Sequence, residues 1–238
     1  MRKGRFVSVL AVVTAGIVAL PAAAATVPFL EDFTADSANW YNADSSAVLD
    51  WVASGGPDGS SFAQTTFNFV STPTGTDTTI LRAQASLGSS GSAFAGDYLT
   101  EGVSEFKIYV RHTAPEPLTF FMRFSGPANF PGAAAVNFVP VPPNTWTEIS
   151  IPIIASNPQF VTFEGSDFNT VFSNVGNLQL GVSTPASLGE VDNDIVFQVD
   201  KAELVAGTPV PATSEWGLIA MTLVGCIGGT VVFRRGLA

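Results

Sequence analysis

The chain has 238 residues, a formal net charge of −10, a single histidine and a single cysteine. Its acidity argues against nucleic acid as a partner, because a duplex is bound through phosphate neutralisation by Lys and Arg. With one histidine and a cysteine, Cys226, that sits in an apolar tail, the rest of the chain can form neither a His-based zinc site nor a thiol-protease pair nor a disulfide.

Arg2, Lys3 and Arg5 open the chain, an apolar run from Phe6 to Leu20 follows, and Pro21-Ala22-Ala23-Ala24-Ala25 ends it. A basic head, a short apolar segment and a small-residue site predict a secretory signal peptide over residues 1–25; the alternative is a retained anchor. Removing this head and the tail changes the charge. Of the ten cations three lie in the head and two in the tail, leaving Arg82, Lys107, Arg111, Arg123 and Lys201; of the twenty acids only Glu215 lies outside, so residues 26–207 carry −14. Such a body is soluble outside the cell and is rich in oxygen ligands.

Within 26–207 the pattern is that of strands. Ser61 to Val70 and Thr78 to Gln84 are rich in Thr, Phe, Ile and Leu, with turn clusters at Gly55 to Gly59 and Ser71 to Gly75. Val103 to Arg111 alternates cleanly, with Phe106, Ile108 and Val110 on one face and Lys107, Tyr109 and Arg111 on the other. Leu118, Phe120, Met122 and Phe124 repeat the pattern opposite Thr119, Phe121 and Arg123. Further strands are expected at Ala135 to Val139, Thr145 to Ile151, Phe160 to Phe163, Leu178 to Ser183 and Ile195 to Val205, with a short helical turn at Asp167 to Phe172. Short strands at this spacing predict one all-β domain, an antiparallel sandwich of two sheets.

Few residues in the body carry visible chemistry. His112 follows a strand at a Thr-Ala-Pro-Glu-Pro turn and reads as an exposed loop residue rather than a catalytic one. Two carboxylates across a cleft would suffice for glycoside hydrolysis, but no acid here falls in a spaced strand motif, so solvated surface carboxylates are expected and the body is read as no enzyme. Tyr109, Arg111, Phe121 and Arg123 are expected to share the non-core face of two neighbouring strands, where an aromatic platform beside planar polar forks suits a sugar ring. The alternative is a solvent face or an inter-sheet contact, since aromatics in a sandwich usually pack. Trp40, Trp51 and Trp146 are read as core.

Residues 208–238 form the last segment. Trp216 to Phe233 carries no charge over eighteen residues and ends on Arg234 and Arg235; as a helix it would reach roughly 27 Å, enough for a bilayer core. A single span with the body outside and the terminus in the cytoplasm is predicted over a buried core helix. Gly225 and Gly229 stand in GxxxG spacing, a weak pairing signal.

Two resemblances add to this reading. Val210-Pro211-Ala212-Thr213-Ser214-Glu215-Trp216-Gly217, with the apolar helix and the Arg234-Arg235 cluster, resembles the bacterial C-terminal sorting signals of the PEP-CTERM and exosortase type, although no Glu lies between two prolines. It implies a membrane transpeptidase-like sorting enzyme as partner and a cell-surface or released protein, with Val210, Pro211, Ser214, Glu215, Trp216, Gly217, Arg234 and Arg235 as the signal. The second concerns the body. Asn144 to Pro152, Phe168 to Leu180 and Val196 to Leu204, with Leu30-Glu31-Asp32-Phe33 and Gly56 to Ser60 in front, look like galactose-binding-like jelly rolls such as laminin type IV and carbohydrate-binding modules. That resemblance implies a structural Ca²⁺ held by a first-strand and a last-strand acid, here Glu31 and Asp200; the alternative is that both are ordinary edge acids. Together the resemblances imply a non-catalytic surface or matrix protein that binds or organises extracellular polysaccharide. Against this stand a purely structural envelope or biofilm component acting by self-association and, as a third reading, an extracellular glycan hydrolase.

Overall fold

A computed structural model describes residues 24–207. The expected signal peptide up to residue 23, the expected sorting motif, the apolar tail and its arginines lie outside these residues, whereas Ala25, at the end of that expected signal, is buried against the core; no helix among those described is long and apolar enough to cross a membrane.

The alternation read from Val103 onward forms a strand because its two faces differ in what they can bury. Phe106, Ile108 and Val110 are fully buried, whereas Lys107, Tyr109 and Arg111 stay partly exposed. The same logic sets twelve strands in chain order: β1 (Phe29–Glu31), β2 (Tyr41–Asn42), β3 (Asp50–Val52), β4 (Phe62–Asn68), β5 (Asp77–Gln84), β6 (Val103–His112), β7 (Phe120–Ser125), β8 (Gly132–Val136), β9 (Thr147–Pro152), β10 (Phe160–Thr162), β11 (Asn177–Ser183) and β12 (Asp194–Ala206). The helical turn is α1 (Phe168–Phe172), whose N-cap Asp167 accepts a hydrogen bond from the Thr170 amide at 2.8 Å. A second short helix, α2 (Ala186–Gly189), lies before β12.

These strands make an all-β sandwich of two antiparallel sheets, as expected. The first runs β3-β4-β12-β6-β9, with β1 also on β12; the second runs β10-β8-β7-β11-β5-β2. Strand β12 serves two partners on one edge because it carries a bulge. Lys201 has a positive φ of 49°, and the register breaks between Asp200 and Glu203, so β4 pairs with Asp194 to Val199 and β1 with Ala202 to Leu204.

The core between the sheets is aromatic. The Phe124 ring, fully buried, meets Phe106 at 5.6 Å and Phe172 at 5.3 Å, and joins the two sheets to α1. Trp40 is fully buried against Phe33 and Phe94. Each such ring contributes roughly 1.5–3 kcal/mol by leaving water, which is how a body without disulfides holds together.

The chain changes sheets repeatedly, and this corrects one expectation. β6 belongs to the first sheet and β7 to the second. The two strands are successive in sequence but not neighbours, so Tyr109 and Arg111 do not share a face with Phe121 and Arg123. Two tryptophans also depart from the core reading. Trp51 is 42 % exposed, and Trp146 is partly exposed on the outer side of the first sheet, where its indole N–H donates to the Gly55 carbonyl and its ring meets Phe62.

Candidate functional site

Directly paired residues of adjacent strands point the same way, so the registers of the second sheet define its outer face row by row. The central row reads Tyr41, Arg82, Gln179, Arg123, Ala134 and Thr162, one residue from each of β2, β5, β11, β7, β8 and β10. At about 4.8 Å per strand, Tyr41 and Arg123 stand about 14 Å apart.

The right half of this row is locked. Arg123 makes a two-pronged pair with Glu164, Nε to Oε1 at 2.5 Å and Nη2 to Oε2 at 2.7 Å. Its other contacts go to Asn129, with Nη1 donating to the side-chain oxygen at 2.9 Å and Nη2 to the backbone carbonyl at 2.8 Å. Asn129 belongs to the β7–β8 loop, and its side-chain oxygen also accepts from Ser125 Oγ and from the amide of Gln179. The Arg123 guanidinium holds the Glu164 carboxyl below its ordinary range, through the hydrogen bonds first and the charge second. This packing needs small neighbours, because a side chain on Gly132 would sit 2.7 Å from the Arg123 guanidinium.

The left half is open. Arg82 is half-buried, and its Nε donates to the Ala43 carbonyl at 2.5 Å, which pins the fork. Its terminal nitrogens make no hydrogen bond and no ion pair among the described residues. Burial disfavours its charge, the nearby Arg123 guanidinium adds to that, and Asp44 opposes it. Tyr41 beside it is partly exposed, and its hydroxyl has no partner among the described residues.

Of the residues expected to bind sugar, two therefore lie on this face. Arg123 is engaged internally. Phe121, in the next row, is only 6 % exposed and lies across Gly181, where a Cβ would come within 2.3 Å of its Cζ. A ring so covered offers no stacking surface. Tyr109 and Arg111 lie on the outer face of the first sheet instead. Tyr109 pairs with Glu148 across β6 and β9, and that carboxylate raises the pKa of its hydroxyl; Arg111 Nη1 donates to Gln198 at 3.2 Å while its Nε is buried without a partner.

Sequence reasoning passed over Tyr41, Arg82 and Gln179. Arg82 and Gln179 sit inside expected strands, and the available signal was their place opposite the buried Leu81 and Leu180. What was missing was the register that sets them side by side. Tyr41 lies in a two-residue strand, too short to show any period.

The two acids implied as calcium ligands are not brought together. Glu31 pairs with Ala202, whose side chain is fully buried toward the core, and its carboxylate accepts from the Phe33 amide at 3.0 Å. Asp200 points to the opposite side of the sheet, opposite Tyr109, and is 0 % exposed beneath the Gly56–Ser60 turn. Its oxygens accept from Ser60 Oγ at 2.6 Å and from the Lys201 amide at 2.7 Å. Gly56 is required above it, since a Cβ there would lie 2.7 Å from Asp200 Oδ2. Burial pushes the Asp200 carboxyl up, against the effect of these bonds. Thus Asp200 is a buried acid of the central strand, neither an edge acid nor one half of a pair with Glu31, and no group of three or more His, Cys, Asp or Glu side chains among the described residues could hold a metal ion.

His112 also departs from its expectation. It is the last residue of β6, 0 % exposed between the rings of Phe120 and Phe197, with Nε2 bonded to the Val141 carbonyl at 2.9 Å. Burial pushes its pKa down, and Nδ1 has no partner. The turn signal after it was real, but His112 continues the core-facing row of Phe106, Ile108 and Val110, so its ring turns inward.

No family model and no curated protein matches this chain. Among solved structures it is similar to a family 11 carbohydrate-binding module of a cellulosomal cellulase from Clostridium thermocellum, at 12 % identity and a TM-score of 0.43, over 77 % of this chain and 97 % of that one. It is also similar to a Clostridium thermocellum xylanase, in its carbohydrate-binding and catalytic modules with xylohexaose, at 14 % identity and a TM-score of 0.45. An exo-β-agarase follows at 10 % identity and a TM-score of 0.48. The chain spans only 28 % and 26 % of the xylanase and agarase chains.

Proposed function

We propose that residues 26–207 form a non-catalytic glycan-binding sandwich that the terminal segments export and sort to the cell surface, there to bind or organise extracellular polysaccharide. The observation that carries the reading is the open half of the central row, where Tyr41 and Arg82 stand on adjacent strands of one sheet face. An aromatic ring offers the apolar face of a sugar a partner, while a planar fork offers its hydroxyl edges donors. The strands fix these groups before any ligand arrives, which lowers the cost of ordering them. Chemistry is not assigned to the face: Glu164 is engaged by Arg123, and the imidazole of His112 is sealed in the core.

Native affinity electrophoresis of the purified full-length protein tests this, in gels carrying xylan, mixed-linked β-glucan, agarose or bacterial exopolysaccharide. Retardation in at least one gel is expected, weakened by Tyr41→Ala and unaffected by Tyr109→Ala on the other sheet. Free migration in every gel, or equal loss with both variants, would overturn the proposal. Self-association is the second reading. Phe130, 63 % exposed, precedes β8, and Phe138 and Val139, 61 % and 71 % exposed, follow it, so sedimentation that shows oligomers without glycan would favour a structural role.

A further inference from the structure

We infer that the glycan taken by this face carries a carboxylate, and that the free end of the Arg82 guanidinium reads it. This rests on the glycan-binding reading above and adds the chemical class of the ligand.

Five cations serve the body, and among the described residues their partners differ. Lys107 pairs with Glu105 at 3.4 Å, Arg123 with Glu164 at 2.5 Å and Lys201 with Asp58 at 2.5 Å. Arg111 is bonded to Gln198 on the first sheet. Arg82 alone lies on the second sheet's outer face without an ion pair, half-buried and two strands from the Arg123 guanidinium. No carboxylate among the described residues is in ion-pair contact with it, although the charge of Asp44 reaches it from a distance. Glu164 is consumed by Arg123, and Asp44, which follows the carbonyl that pins Arg82, has its carboxylate engaged by the Ser46 amide at 3.0 Å. A partly desolvated cation whose terminal nitrogens have no partner gains from an arriving anion.

The shape of the opening selects the anion. Nε is already spent on Ala43, so the two terminal nitrogens present an end-on planar fork that matches a carboxylate with two parallel hydrogen bonds. Neutral hydroxyls could satisfy the donors but not the charge. The rest of the body limits how much charge the ligand can carry. One free fork on a surface whose body totals −14 repels a dense polyanion and accepts an isolated acidic sugar. The ligand class is therefore a heteropolysaccharide with uronic-acid residues set among neutral ones.

The test uses immobilised glucuronoxylan and other uronate-containing heteroglycans, each beside its carboxyl-reduced derivative, and a sulfated glycan, with the purified full-length protein as analyte. The acidic form should bind about tenfold tighter or more than its reduced counterpart. Arg82→Gln should erase that difference, Arg82→Lys should restore part of it, and Tyr41→Ala should weaken both forms alike. Equal binding of the acidic and reduced glycans, or a preference that survives Arg82→Gln, overturns the carboxylate inference and leaves glycan binding standing. Tighter binding to the sulfated glycan overturns it in favour of a denser anion. Failure to bind any member overturns the glycan-binding reading and this inference with it. Circular dichroism of each variant separates lost binding from lost folding.

Discussion

The lock between Arg123 and Glu164 should be worth measurable stability, and its size follows from the geometry. Two parallel charge-assisted hydrogen bonds at 2.5 and 2.7 Å place it among the stronger ion pairs. Side-chain exposures of 15 % and 25 % place it between a solvent-exposed pair and a buried one. Exposed pairs contribute about 0.2–1 kcal/mol and hydrogen bonds to charged groups about 1.5–3 kcal/mol, so a coupling of about 1–2 kcal/mol is expected. A double-mutant cycle of Arg123→Met and Glu164→Gln, read by urea unfolding at pH 7, isolates it, because the contacts of Arg123 with Asn129 cancel in the cycle. The sign of the pH dependence is fixed as well. The folded Glu164 carboxyl sits below its ordinary 4.5, so the coupling is fully present above 4.5 and is lost as pH falls through the lower folded value. A coupling under about 0.3 kcal/mol at pH 7, at the level where distant sites already add, or one that persists unchanged at pH 2, would refute the assignment.

Two further outcomes follow from buried titratable groups. The Asp200 carboxyl is pushed above its ordinary 3.8 by burial, so its contribution to stability is highest when protonated and declines as pH rises through the folded value; Asp200→Asn should therefore melt higher than wild type at pH 7 in a chelator, with the gap closing toward pH 3. Reversal of that order on adding calcium would reassign Asp200 as a cation ligand. His112 is pushed below its ordinary 6.5, so the fold disfavours its charged form and loses stability as pH falls from about 6.5 toward the folded value. Unfolding titrations of His112→Phe, whose ring can pack against Phe120 and Phe197, should show a flatter loss from pH 7 to 5 than wild type; an equal slope would refute it.

Much of the fold was legible because period-two alternation is a local property. Val103 to Arg111 was read as a strand and β6 is Val103–His112; Thr78 to Gln84 was read and β5 is Asp77–Gln84; the turn at Asp167 to Phe172 became α1 with Asp167 as its cap. Where strands are two or three residues long, as in Tyr41–Asn42 and Asp50–Val52, no period can appear and neither was expected. Trp51 and Trp146 show the complementary limit. Both are held by an indole hydrogen bond to a backbone carbonyl, of Phe33 and Gly55 respectively, outside the main core, and residue type alone cannot tell an indole anchored by its N–H from one anchored by its rings.

The site was harder to read because it depends on strand order, which is non-local. Alternation correctly set Tyr109 and Arg111 opposite the buried side of β6, and Phe121 and Arg123 opposite that of β7. It said nothing of the five residues between Thr113 and Pro117 that carry the chain toward the other sheet. Had β6 and β7 been a hairpin, the four side chains would have shared one face; the crossover sends each pair to an opposite outer surface. The residues that do meet, Tyr41, Arg82, Gln179 and Arg123, come from positions as far apart as 41 and 179. Their juxtaposition is set by β11 pairing with β5 on one side and β7 on the other, and a slip of one residue in either ladder would turn Arg82 or Arg123 into the core. The buried Leu81, Ala83 and Phe124 beside them forbid that slip, so the core residues that reveal the strands also hold the polar row in place.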